Sequence, residues 1–549
     1  MAKINFFALG GLDENGKNCY VLEVDNDLYI INSGTKVPIS SVNGVDTLIP
    51  DFKFLEKNQK RIKGVFLTDV KNESFSAIPW LLMRVKNLKI YCSVFSKFIV
   101  LERLSKYKIG HNNFEVISLI KRTQIGMATI TPISVAGALP GINGYNFETA
   151  DGNILFLLNL VVGNLGLFGN TNLNFIKKVT NNEKPLLALF LDSGKSNLPG
   201  KSIDKIGITS KIEKVFQETK EESRIIIGAY DEEMFILNEV LTLAQKNDRP
   251  VIIYGRNYSQ LLELSIRINK EQKMPKFLEY KYANKTKNAV ILVVGKVERL
   301  YQRFLRITEK NDVFLKLKSE DSVIMIAPPV NGLEVTHALT LDEIARISKN
   351  LIDVSESEYY PLRPAKEDIA KIVSFLKPEH FIPLQGLYRY LVVASQEANK
   401  AGVSKAKSYV LQNGKTLSFV DGKLFSQKGF IKDAGETIID GFGVGDISHE
   451  VIRERETLGR DGVISISSLL NYKTKKIEGE INIISSGTII KEIKTEIHDM
   501  ISSIFIQVCN ENNLKNLKDV QEKIRKVVRK LIFKKIDKEP IVLVTFYEY

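Results

Sequence analysis

The stretch V-F-L-T-D-V-K-N-E-S-F-S-A, residues 65–77, constrains the fold more than any other part of the chain. It follows the basic turn Arg61-Ile62-Lys63-Gly64 and leads into Ile78-Pro79-Trp80-Leu81-Leu82. An apolar run ending at Thr68 reads as a short buried strand, and the segment opened by Ile78-Pro79 reads as a helix. A polar loop joins them.

The remaining pattern alternates strand and helix. Strands are expected over 4–9, 19–24 and 28–32, the first two joined by the Gly-rich run 10–18, and they open a sheet. The pairs continue through a strand at 88–92, an amphipathic helix at 95–107 and strands at 114–119 and 128–135. Asp151-Gly152-Asn153 marks a hairpin turn between strands at 145–149 and 154–159, and 186–192 is a further buried strand. A second alternation follows: strand 224–229, helix 232–245, strand 250–254, a basic connection at Gly255-Arg256, strand 289–295, strand 323–327 and a helix around 341–348. That order suggests a parallel sheet. Residues 427–445 are Gly-rich and polar and read as a linker. Beyond them lies a small α+β unit, with strands at 463–470, 480–485 and 541–548 and helices at 491–510 and 517–533.

Several motifs run in a fixed order: F-A-L-G-G-L-D-E-N-G-K-N at 7–18, I-I-N-S-G-T-K at 30–36, D-T-L-I-P-D-F at 46–52, L-K-P-E-H-F at 376–381 and F-I-P-L-Q-G-L-Y-R at 381–389. In order and spacing they resemble the ribonuclease J family, over essentially the whole chain. The resemblance implies a metallo-β-lactamase αββα sandwich with an inserted β-CASP domain and a small α+β C-terminal domain. The expected boundaries are 1–205 and 353–426 for the sandwich, 206–352 for the insert, 427–455 for the linker and 456–549 for the last domain.

The resemblance also locates the family's zinc ligands, and here the residue types differ. The motif T-H-x-H-x-D-H falls on Asp69, Lys71, Glu73 and Ser74. A further His position falls on Gly137 in A-G-A-L-P, the bridging Asp on Asn159, the motif H-x-S-G-H-G on Tyr359 to Arg363, and the last His on Gln385. The loop D-S-G-K-S-N after residue 191 keeps only the first two residues of the family's D-S-T-N-A.

A di-zinc centre needs imidazoles and carboxylates converging at about 2 Å, and a Lys71 ammonium among them would repel the cation. The five histidines, at 111, 337, 380, 449 and 498, all lie outside the matched positions. His380 is expected to pack in a strand, and His498 to face solvent or a partner from its helix. No cofactor is therefore expected where the family would hold zinc. Two readings of the loop stay open: Asp69 and Glu73 hold Mg²⁺ through their oxygens, or they join Lys71 in an internal ion-pair network that organises the loop. Without a metal, the device that lowers the pKa of an attacking water is missing.

Of 549 residues, 77 are Lys or Arg and 64 are Asp or Glu, a net charge of +13. Such a balance favours polyanions such as RNA, although Lys- and Asn-rich usage produces the same excess without any partner. Three cysteines without C-x-x-C spacing exclude a thiolate zinc cluster and fit a reducing compartment. With no apolar run of about 18 residues and no apolar leader, a cytoplasmic protein without membrane attachment is expected. Lys195, Arg256, Arg363 and Arg389 lie where the resemblance puts the substrate channel and are candidate RNA contacts. Residues 513–538 add ten Lys or Arg against three acidic residues, with Val520, Ile524, Val527, Val528 and Leu531 forming the core face.

The expected function is that of an RNA-processing or decay protein acting as a non-catalytic RNA-binding or structural subunit. Its implied partners are an active ribonuclease J paralogue, RNA, and the ribosome or degradation machinery, in a homo- or hetero-dimer or tetramer. An active 5′ exo- or endoribonuclease with a divergent site, and a scaffold without RNA contact, are the alternatives.

Overall fold

The computed structural model describes residues 2–36, 47–107, 109–181, 184–268, 273–440, 443–444, 449–489, 491–512, 514 and 516–548. The described residues fall into two compact units, one within 2–437 and the other within 438–548.

Two sheets face each other in the first unit. One runs, edge to edge, Lys423–Ser426, Thr416–Val420, Lys3–Gly10, Cys19–Val24, Asp27–Ile31, Ile62–Phe66, Leu88–Cys92, Phe114–Ser118. The other runs His380–Leu384, Leu186–Asp192, Asn153–Leu157, Asn143–Glu148, Ala128–Ser134, Thr123–Ile125. Alternating apolar residues turn inward and meet in an aromatic core. Phe156 stacks on Phe190 at 4.4 Å between centroids, Phe6 lies 4.3 Å from Phe190, and Phe66 stacks on Tyr91 at 4.9 Å. Each such ring removed from water contributes on the order of 1.5–3 kcal/mol. Helices Val94–Ser105 and Tyr388–Lys400 pack on Phe114–Ser118 and His380–Leu384, one against each sheet, so the layering is the αββα sandwich expected.

The sandwich sheet steps from Leu186–Asp192 to His380–Leu384, hydrogen-bonded in parallel beside it, and helix Lys366–Leu376 ahead of that strand already packs on helices Leu173–Thr180 and Tyr388–Lys400 of the sandwich. Between those two strands in the chain lies a six-stranded all-parallel sheet in the order Phe277–Leu278, Val251–Tyr254, Val290–Gly295, Ile225–Tyr230, Ser322–Ile326, Asn350–Asp353. Its central strands are apolar on both faces, as covered parallel sheets are. The supposed basic connection at Arg256 is a helix, Arg256–Ile268, whose buried Tyr258, Leu261, Leu262 and Ser265 recur at helical spacing. The helix expected around 341–348 lies earlier, at Glu334–Ala345. Helix Met234–Lys246 begins two residues later than expected, which leaves Glu232 and Glu233 in the loop after a strand.

Within the second unit a three-stranded sheet, Ile477–Ser486, Val463–Leu470, Ile541–Glu548, is covered by helices Lys494–Glu511 and Leu517–Ile536. The buried stripe of the second helix is Val520, Ile524, Val528 and Ile532, spaced by four. Val527, expected in the core face, is 41% exposed. The stretch read as linker, 427–455, contains strand Glu436–Asp440 and the start of helix His449–Asp461; its residues 441–442 and 445–448 lie outside the described residues. Cys19, Cys92 and Cys509 are buried and unpaired with one another.

Candidate functional site

Parallel pairing sets the place of the site. Ile31 lies opposite Phe66 in the first sheet; in the second, Leu157 lies opposite Leu191, and Asp192 opposite Leu384. The strand ends therefore coincide, and the residues just beyond them, Asn32, Thr68, Asp69, Asn159 and Gln385, converge with Asp192, all buried.

These groups hydrogen-bond one another, with Asn159 Oδ1 left without a partner among the described residues. Asp69 Oδ2 accepts from Thr68 Oγ1 (2.7 Å), Asn159 Nδ2 (2.9 Å) and Ser74 Oγ (3.2 Å), while its Oδ1 accepts from the Lys71 amide (2.8 Å). Thr68 is held in turn by Asn32, whose Oδ1 accepts the Thr68 amide at 2.9 Å. Asn159 donates its amide to Asp192 Oδ2 (3.0 Å), and Gly194 donates to Asp192 Oδ1 (2.8 Å). The neighbours orient the Gln385 amide so that Nε2 faces both Asp192 oxygens (3.1 and 3.3 Å) and Oε1 accepts from Asn18 Nδ2 (2.6 Å). Asn159 and Gln385 both adopt left-handed backbone, φ +52° and +61°, which aims their side chains into this cluster at a cost of order 1–3 kcal/mol each.

Two cations complete the site. Lys71 is buried, and its Nζ reaches Glu233 Oε1, an acid of the inserted domain, at 3.1 Å. Tyr359 donates its hydroxyl to the other oxygen of Glu233 (3.2 Å). Arg363 pairs with Glu73 and lies 3.8 Å from Asp192. Burial pulls the Lys71 ammonium pKa down, but Glu233, and then Glu73 and Glu232, more than reverse this, so the net direction is up. Arg363 follows the same logic through Glu73 and Asp192. Burial pushes the Asp192 carboxyl up against the pull of Arg363. The network foreseen for the loop therefore forms with different partners: the Lys71 ammonium crosses to Glu233, and Glu73 takes Arg363.

Next to Lys71, the Asn72 amide donates to Glu232 Oε1 at 2.8 Å. Burial, and then the neighbouring Asp231, push the Glu232 carboxyl up to about 8. Lys71, Glu73, Lys195, Glu232, Lys296 and Arg363 are among the residues lining a cavity of about 240 Å³ between sandwich and insert. Lys195 pairs with Glu356 at 2.6 Å. Arg389, exposed, donates to Asn331 Oδ1 (3.0 Å) and lies over the Tyr390 ring. Arg256 is exposed in the first turn of its helix and does not line this cavity.

Neither the loop geometry nor the donors fit a di-metal centre. A Cβ on Gly137 would stand 2.5 Å from both the Asn159 carbonyl oxygen and Ile142 Cδ1, so no side chain enters there. A Cβ on Gly194 would run into the Arg363 guanidinium. Among the described residues, no three His, Cys, Asp or Glu side chains are grouped to hold a metal ion. The described imidazoles lie elsewhere. His337 meets Asp353 (3.2 Å), and buried His380 meets Tyr409 (2.9 Å), with its pKa lowered to about 4 by burial. His498, expected toward solvent or a partner, meets Ser485 of the adjacent strand (3.3 Å). The side chains of His111 and His449 lie outside the described residues.

Sequence reasoning missed Glu232 and Glu233. The available signal was the run Asp231-Glu232-Glu233 directly after a buried strand of a parallel sheet, because ligands and charged groups gather outside the carboxyl ends of such strands.

Two facing sheets with a parallel-sheet insert and a site at the strand ends define a protein of the metallo-β-lactamase/β-CASP class. A solved Enterococcus faecalis protein of unknown function shares the fold, at a TM-score of 0.50 and 15% identity, covering 76% of this chain and all of that one. The family description "Ribonuclease J C-terminal domain" matches residues 450–549. Similar full-length chains are an uncharacterized protein of Mycoplasma genitalium, 28% identical over 99% of both chains, and ribonuclease J2 of Bacillus subtilis, 23% identical over 98% of both. A ribonuclease J 2 of Staphylococcus saprophyticus is also 23% identical, over 98% of this chain and 97% of its own. These matches, one over the last hundred residues and the others over the full length, support kinship with the ribonuclease J family. Among the described residues, no helix is long and apolar enough to cross a membrane.

Proposed function

We propose that this chain is a cytoplasmic, non-hydrolytic ribonuclease J paralogue that binds RNA and assembles with an active ribonuclease J. The supporting observation is the pair of internally neutralised cations, Lys71 with Glu233 and Arg363 with Glu73 and Asp192, at positions that the family resemblance gives to metal ligands. A divalent ion placed beside them would meet two positive charges. Without such an ion, nothing draws the pKa of a water toward 7. Retaining the sandwich and the insert while changing the ligands preserves surface rather than chemistry, and the net charge of +13 suits a polyanion.

The test is hydrolysis of 5′-monophosphorylated RNA by the purified chain, alone and co-expressed with the organism's active paralogue. No hydrolysis alone, together with a hetero-complex by native mass, is the expected result. Only homomeric species in the mixture would defeat the hetero-complex. Removal of residues 456–549 shows whether the last unit carries the interface.

One observation favours a divergent hydrolase. Glu232, lining the cleft with its carboxyl raised to about 8, is a group suited to general acid–base work. A hydrolysis rate that falls in Asp69→Ala, Glu73→Ala or Glu232→Gln would establish that reading instead.

A further inference from the structure

The inserted domain carries a second surface, away from the cleft, with unusual chemistry. At the edge strand Phe277–Leu278 of the parallel sheet and the 3₁₀ turn Tyr280–Tyr282 after it, Phe277, Tyr280 and Tyr282 are 38%, 48% and 41% exposed. Phe314, 40% exposed, comes from a separate loop and meets Tyr280 edge to face at 4.8 Å. Residues 276–287 and 310–318 together hold seven lysines and two acidic residues, a net charge of +5. One of the two acids, Asp312, is buried and engaged by Tyr254, Arg306 and the amides of Phe314 and Leu315.

The two segments are fixed to each other. Arg224, 1% exposed, donates to the Ala283 carbonyl (2.8 Å) and the Lys316 carbonyl (2.8 Å) and pairs with Asp321. Asn284 Nδ2 donates to the Phe314 carbonyl (2.8 Å), and the Lys316 amide donates to Asn284 Oδ1 (2.9 Å). Exposed rings are thus held on a rigid base, and Lys276, Lys285 and Lys316 beside them are exposed. Core packing does not account for four half-exposed rings amid net positive charge. Bases stacking on aromatic faces while lysines meet phosphates does account for it.

We propose that this patch is a binding platform for single-stranded polynucleotide, separate from the cleft. It rests on the reading of the protein as RNA-associated and specifies where the strand stacks. An apolar protein partner would be disfavoured by the density of lysine, which protein interfaces avoid at their centres.

The test measures binding of a short fluorescein-labelled polyuridine strand to the full chain across a salt series. Tyr280→Ala and Phe314→Ala are each expected to weaken binding about tenfold. Tyr280→Phe keeps the ring and is expected to bind as wild type. Because Tyr280 and Phe314 are half exposed, the fold is expected to persist, which circular dichroism checks. Lys276→Glu with Lys316→Glu is expected to flatten the salt dependence by roughly 0.7 in log–log slope for each phosphate left without its lysine. Binding untouched by the ring variants but abolished in Lys195→Glu with Arg389→Glu would overturn the platform while sparing RNA association. No binding by the wild-type chain at low salt would overturn both. Intact RNA affinity with abolished self-association in Tyr280→Ala with Phe314→Ala would overturn it too, and would make the patch an interface between copies.

Discussion

Lys71 and Arg363 are each about as buried as their carboxylate partners, so neither can lose its partner cheaply. Removing one member of such a pair leaves an uncompensated charge and costs about 3–5 kcal/mol. Arg363→Ala, which strands Glu73 and Asp192, and Lys71→Ala, which strands Glu233, are each expected to lose stability of this size in urea unfolding. Lys71→Met with Glu233→Leu removes both charges and is expected to lose much less; equal losses in the single and double variants would contradict the pairing. Glu232 gives a pH signature. In the unfolded chain its carboxyl titrates near the ordinary value of 4.5, and in the fold, beside Asp231, Lys71, Lys296 and the Asn72 amide, at about 8. Between those values the folded form keeps a proton that the unfolded form has released, so stability falls as pH rises through the window. Glu232→Gln abolishes that fall. Relative to wild type it is expected to be neutral at about pH 5 and stabilised above about pH 8. A difference independent of pH would contradict the assignment.

At the scale of elements, the loops after the strands decide what the site can hold. Gly137 is confined by the Asn159 carbonyl and Ile142, so Gly137→Ala is expected to cost about 1–3 kcal/mol through overpacking, read as a drop in unfolding midpoint; an unchanged midpoint would mean the loop yields. Much of this level was legible beforehand. Strands such as Leu88–Cys92, Leu186–Asp192, Val463–Leu470 and Ile541–Glu548 fall where the sequence placed them, the first two as mostly buried apolar runs and the last two as half-buried strands with alternating burial. Helix Arg256–Ile268 was not legible: a composition rich in Arg, Asn, Ser, Gln and Glu hides a buried stripe of four residues. The candidate site divided in the same way. Loop positions 69, 71, 73 and 74 were located by motif order, but the partner of Lys71 lies 162 residues away at Glu233, and no local pattern encodes a pairing set by how the insert meets the sandwich. Arg363 likewise read as a candidate RNA contact and turns out to face Glu73 and Asp192.

Across the whole molecule, the inserted domain is tied to the sandwich at the site by Lys71–Glu233, Asn72–Glu232 and Tyr359–Glu233, so the network at the positions that the resemblance gives to metal ligands also joins the two domains. That arrangement gives the network a structural task. Whether two protein cations have taken the place of a metal centre is tested most directly by elemental analysis of the full chain, purified without chelator from cells supplied with zinc and manganese. Neither metal in stoichiometric amount is the expected result; two tightly bound transition-metal ions per chain would contradict the replacement.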